Sequence, residues 1–215
     1  MSYRRHHVVE HAITVLDAYG LGDLSMRRLG AELGVQPSAL YHHFKDKQTL
    51  LAAVADEILA RGERPVPDGD WPHQVTAICA QLRDAMLSYR DGAELVATVS
   101  AFGLGARAPY DALVAALSAG GLDDRLVRVA ARTLLHFVLG RVGDEQTHLQ
   151  AGSAGAIPDD PDHAHDGSDF AVGLAIVVDG IRVSHGAVAA PMPLRSGFPR
   201  PVGHGRQPVP EPGTV

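Results

Sequence analysis

The sequence predicts an all-α protein on three observations. Hydrophobic residues make up 46% of the 215 residues and aromatics only 5%. Ala, Val and Leu dominate, a balance that favours helix over a β-sandwich. Apolar residues recur at intervals of three and four along most of the chain, which lines them up on one face of a helix. Gly, Pro and small polar residues fall between these stretches, where helices start and stop.

Taken in order, the first amphipathic stretch runs from Arg4 to Tyr19, with Val8, Val9, Ala12, Ile13, Val15, Leu16 and Tyr19 in period and Gly20 and Gly22 behind it. Ser25 is a good N-cap for a short second helix carrying Leu29 and Leu33, which Gly34 stops. A third opens at Gln36 and Pro37, since proline at the first helical position gives up an N–H that has no partner there anyway. Leu40 and Phe44 are four apart and turn inward, leaving Ser38, Ala39, Tyr41, His42 and His43 outside. The fourth helix follows Asp46, with Leu50, Leu51, Val54, Ala55, Ile58 and Leu59 on its stripe. "RGERPVPDGDW", Arg61 to Trp71, is rich in Pro, Gly and charge and reads as a hinge. Helices follow at about 71–90, 93–101, 107–119 and 123–150, then loop composition over 151–168 and an apolar helix at 170–186. From Ala189 the chain is dense in Pro and Gly with little to bury, and disorder is expected. The expected domains are 1–48, 49–70 as connecting helix and hinge, 71–188, and a 189–215 tail.

Composition excludes several classes. The single cysteine, Cys79, rules out an internal disulfide framework and a thiolate metal cluster. No run approaches the ~20 apolar residues of a membrane span, and the opening "MSYRRHHVVEHA" lacks a secretory core, so a cytoplasmic protein without membrane association is expected. No phosphate-binding glycine loop, G-x-S-x-G elbow or H-E-x-x-H motif appears, so no enzyme and no cofactor are expected. "DDPDHAHDGSD" at 159–169 reads as a solvated loop sooner than a metal site. Net charge is −6, yet residues 1–48 carry six Lys/Arg against five Asp/Glu, while the remainder carries 13 against 20. Both lysines, Lys45 and Lys47, sit just after the third helix, which permits a positive face on an acidic molecule.

Two short helices joined at a Gly-containing turn and braced by a longer one form the plan of a helix-turn-helix unit. The run "LSMRRLGAELGVQPSALYHHFKDKQTLL", residues 24–51, resembles the DNA-binding region of the tetracycline-repressor (TetR) family over 28 consecutive residues. The shared pattern is a capped helix, a Gly-Val turn, a recognition helix with Leu-Tyr-x-His-Phe, and a lysine. The resemblance implies that the third helix reads bases, and the local chemistry fits: Ser38 and His42 suit base edges and Ala39 a thymine methyl. Tyr41, His43 and Lys47, with the helix start at Gln36 and Pro37, suit phosphates, and Arg27 suits a base edge or the backbone. Arg4 and Arg5 either steer DNA or fray.

Residues 71–186 resemble more loosely the ligand-binding domain of the tetracycline repressor's own subgroup, through "MLSYRDGAEL" (86–95), "LHFVLGRVGDEQTH" (135–148) and "FAVGLAIVVDGI" (170–181). That subgroup holds magnesium and drug with a histidine, a threonine and an arginine where this chain has Val96, Val99 and Ser100. A magnesium-tetracycline effector is therefore not expected, and no metal is assigned. A cavity lined by Val96, Val99, Phe102, Leu113, Leu117, His136 and Phe137 would take a largely apolar effector, with His136 as polar handle; the alternative is a packed core with a buried histidine. The implied function is a ligand-responsive repressor that binds a palindromic operator in double-stranded DNA as a homodimer and is released by a small apolar effector. Alternatives are an activator, a corepressor-dependent repressor, or a helical interaction protein that does not bind DNA. The 123–150 and 170–186 helices are too apolar to face water and are expected to form the dimer surface.

Overall fold

A computed structural model describes residues 4–155 and 167–186, and these contain helices and no strands. In chain order the helices are α1 (Arg5–Tyr19), α2 (Met26–Leu33), α3 (Pro37–Tyr41), α4 (Lys47–Gly62), α5 (Trp71–Leu87), α6 (Gly92–Ala101), α7 (Ala108–Ala119), α8 (Asp124–Ser153) and α9 (Gly167–Gly186). The expected all-α class and helix order hold. None of the described helices is long and apolar enough to cross a membrane.

The first three helices form the head. Val8, Ala12 and Leu16 on α1 are wholly buried, as are Leu24 and Leu29, and α1 packs onto both α4 and α2. Helix α2 begins where Ser25 Oγ accepts the Arg28 N–H at 3.2 Å and ends at Gly34, whose φ of 66° lies in the left-handed region. Helix α4 joins head to body, packing on α1 at one side and on α5 and α6 at the other. In the body, α5 lies against α7 and α8, and α9 covers α8 and part of α5. Phe170, Leu174, Val178 and Ile181 face inward from α9 at helical spacing. Cys79 sits in this core, and burial pushes its thiol up to about 12, so it is a packing residue with no nucleophilic character.

Three sequence expectations need revision. The stretch expected as a hinge over 61–71 is non-helical only from 63 to 70: α4 continues to Gly62, where an added Cβ would fall 2.5 Å from that of Ala85, so α4 and α5 approach closely there. Arg64 then fastens the connection to α5, its N–H reaching Gln81 at 3.3 Å and its guanidinium Asp84 at 2.6 Å. Second, α8 extends to Ser153 and α9 begins at Gly167, so both intrude on the expected 151–168 loop. Third, α3 ends at Tyr41, so His42 and His43 lie in the turn behind it. There the His43 and Phe44 N–H groups both donate to Leu40 O, at 2.9 and 3.0 Å, which tightens the last turn. The tail expected over 189–215 and most of the 159–169 Asp/His run lie outside the described residues.

Candidate functional site

The outward face of the head is built by anchoring the inward one. Leu40 and Phe44 are 1% and 2% exposed, and between them Tyr41 stands out at 52%. Ser38, Gln36 and His42 are exposed, while Ala39, Pro37 and His43 are half-buried. Gly30 makes the close approach of α2 to α3 feasible, because a Cβ there would lie 2.9 Å from Val35 O. A short helix thus projects its polar residues from a rigid seat, the arrangement that enters a major groove.

Lys47 opens α4 and is half-buried. Asp46 before it makes a capping box: its Oδ1 accepts the Thr49 N–H at 2.8 Å, and Thr49 Oγ1 accepts the Asp46 N–H at 3.1 Å. The bond from the Thr49 backbone, then that from its hydroxyl, holds the Asp46 carboxyl below the usual carboxylate range. The two neighbouring arginines of α2 separate. Arg28 is committed to the fold, pairing with Asp23 at 3.2 Å and lying 3.6 Å above the Tyr19 ring. Arg27 is exposed and forms no ion pair among the described residues. Arg5, left open by the sequence, stacks its guanidinium 4.8 Å from the centroid of Phe44. That ties the start of α1 to the end of the α3 turn.

The seven residues expected to line an effector cavity do not share one environment. Leu113, Leu117 and Val96 are at most 1% exposed and belong to the packed core. Phe137 leans on Phe170, with ring centroids 5.7 Å apart, and on Gly173. Val99 and Phe102 border a crevice of about 300 Å³ shared with Lys47 and Leu51, although Phe102 itself is 63% exposed. His136 is exposed and borders a different cavity, between α6, α7 and α8. Helical periodicity tells which side chains point inward, and says nothing about where inward side chains leave space.

Sequence reasoning missed a further cavity of about 230 Å³ between α4, α5 and α7, walled by Leu59, Ile78, Leu82, Ala85 and Pro109 with Asp56 at its edge. It also missed the strut that holds the head to the body. Asp91 Oδ2 accepts the Leu21 N–H at 2.7 Å and its Oδ1 accepts Gln150 Nε2 at 2.8 Å, while the Arg90 N–H donates to Asp17 at 3.1 Å. Gln146, 7% exposed, completes the knot by accepting from Ala93 N and donating to Tyr89 O, each at 2.9 Å. A glutamine on the apolar face of α8 was the available signal.

Comparison with known proteins agrees with this architecture. Residues 8–54 match the family described as bacterial regulatory proteins, tetR family, and residues 65–160 match the tetracyclin repressor-like C-terminal domain. The tetracycline repressor protein class A from transposon 1721 of Escherichia coli is 31% identical over 191 residues, covering 81% of this chain and 88% of that protein. The crystal structure of Mycobacterium smegmatis BioQ superposes with a TM-score of 0.77 at 42% identity, over 84% of this chain and 98% of the other. The structure of BioQ with its double-stranded DNA operator superposes with a TM-score of 0.70 at 40% identity, over 84% and 99%. The chain therefore belongs to the tetracycline-repressor (TetR) family of bacterial transcriptional regulators, whose members work by binding DNA and not by catalysis.

Proposed function

We propose that this protein is a ligand-responsive repressor that binds a palindromic operator as a homodimer and releases it when a small, largely apolar effector binds. The observation that carries the reading is the α3 seat: buried Leu40 and Phe44 fix a helix whose Ser38, Tyr41 and His42 face solvent. In this reading residues 1–48 are the DNA-binding domain, 49–70 the connection, and 71–188 the effector and dimer domain. Ser38, Ala39 and His42 read base edges, while Arg27, Tyr41, His43 and Lys47, with the Gln36–Pro37 helix start, hold the backbone.

One head reads too few bases for a gene switch, so two copies related by a two-fold axis address successive major grooves. The apolar residues Val172, Ile176 and Val183 of α9, 61%, 68% and 70% exposed, support a contact with the second copy there. The α4–α5–α7 cavity supports an effector site because α4, one of its walls, begins at Lys47 and carries the head. A ligand that favours one position of α4 shifts the spacing of the two heads, and its differential affinity for the two dimer shapes sets the size of the response.

The test starts from an operator selected out of randomised duplexes. Tyr41→Ala and Lys47→Ala should each weaken binding about tenfold, through loss of a charge-assisted or phosphate bond, with the thermal midpoint unchanged. Log affinity should fall steeply with log salt. Wild-type affinity in both variants, or a flat salt response, would remove this face from the contact list.

A further inference from the structure

We infer that the cavity between α6, α7 and α8 is an anion site, built for the carboxylate of a ligand with an apolar body. It has a volume of about 520 Å³. Its walls include Ala97, Ala101, Leu135 and Leu139, and among them stand Arg107, Arg132 and His136, with the hydroxyls of Ser100 and Tyr110. In a chain with net charge −6, none of the residues lining this cavity is a carboxylate. Arg132 forms no ion pair among the described residues, and Arg107 has only Asp111 at 3.7 Å, too long for a strong hydrogen bond. Two guanidiniums beside apolar walls suit a planar oxyanion at one end of a hydrocarbon or aryl group.

The backbone that presents Arg107 is held in place. Ala106 has a φ of 57°, a left-handed conformation that costs free energy in a residue with a Cβ. Its N–H donates to Asp56 Oδ1 at 2.7 Å. Asp56 belongs to α4, so the loop is pinned to the helix that carries the head. The neighbouring α4–α5–α7 cavity is a poorer anion site, since its arginine, Arg64, already pairs with Asp84 at 2.6 Å. The inference goes beyond the effector reading above, which uses the α4–α5–α7 cavity, and rests on that reading only for its regulatory meaning: an anion drawn to Arg107 would act on α4 through the Ala106–Asp56 bond.

The experiment is isothermal titration calorimetry of decanoate and its neutral counterpart decanamide into the full-length protein. Decanoate should bind about tenfold or more tightly than decanamide, the difference a charge-assisted bond makes. Arg132→Gln and Arg107→Gln should each remove most of that difference without changing the thermal midpoint, because both side chains lie at the surface. Equal affinity for the two probes would overturn the inference. So would loss of decanoate binding in Arg64→Gln with Arg132→Gln unaffected, which would put the anion in the other cavity. Operator release, read in parallel by fluorescence anisotropy, separates the two readings. Arg132-dependent decanoate binding without release keeps the anion site and overturns its role in induction, whereas no Arg132-dependent binding overturns the site whatever the operator does.

Discussion

Arg83 and Glu145 show how much a single pair can matter in a helical body. Their side chains are 19% and 7% exposed, and the guanidinium grips the carboxylate with two nitrogens, Nε at 2.9 Å and Nη2 against the other oxygen. The same guanidinium lies over Phe170 of α9, its carbon 5.3 Å from the ring centroid. The pair therefore fastens α5 to α8 at the place where α9 closes over both. Removing Glu145 leaves the half-buried Arg83 guanidinium with only the more distant Asp84 carboxylate, at 3.9 Å, so most of the charge-assisted bonding is lost. Glu145→Ala should lower unfolding stability by about 1–3 kcal/mol in urea titrations. Replacing both residues by apolar ones should recover much of that loss. A Glu145→Ala protein as stable as wild type would mean that water reaches the site. Neither residue drew notice in the sequence, because nothing in a one-dimensional pattern pairs positions 83 and 145.

Among the elements, α4 carries the most consequence per turn. Its first turn is organised by the Asp46–Thr49 capping box and begins with Lys47, and its last meets α5 through Gly62. The start was legible, since Asp46 preceding a periodic apolar run marks an N-cap. The tight docking at Gly62 was not, since a glycine beside a Pro-rich stretch reads equally well as a flexible joint. Asp46→Ala should lower the thermal midpoint through the lost cap. It should also weaken operator binding, because fraying reaches Lys47 first. Because Asp46 titrates below its ordinary range when folded, its contribution is present above the unfolded carboxylate pKa and disappears as pH falls through the folded value. The wild-type and Asp46→Ala stability curves should therefore converge at acid pH. Curves that stay parallel down to that range would refute the capping role.

At the scale of the whole molecule, head and body are linked by two routes, the α4 helix and the Asp91 strut, and of these α4 walls a cavity where an effector is proposed to act. The third large-scale feature is the apolar outer face of α9. Val172, Ile176 and Val183 recur at four and seven, one stripe along the helix. A second copy of the chain would cover it. Ile176→Asp should give a monomer by sedimentation velocity and lower operator affinity by orders of magnitude, since each head then binds alone. Dimers that persist in this variant would place the two-fold axis elsewhere.

The sequence by itself determined the all-α class, the order of the helices, the helix-turn-helix seat and the outward direction of Tyr41. These depend on short-range spacing: apolar residues at three and four, caps beside them, Gly34 and Pro37 at their turn. Only the tertiary structure decided where space remains. Leu113 and Leu117 fill the core, His136 stands at the edge of a cavity lined with arginines, and Asp91 ties α1 to α8. Cavities, buried ion pairs and struts join residues that are 50 to 70 positions apart, such as Asp56 with Ala106 and Leu21 with Asp91. Periodicity sets the side of a helix that a residue occupies, while the partner it meets there is settled by how the helices pack.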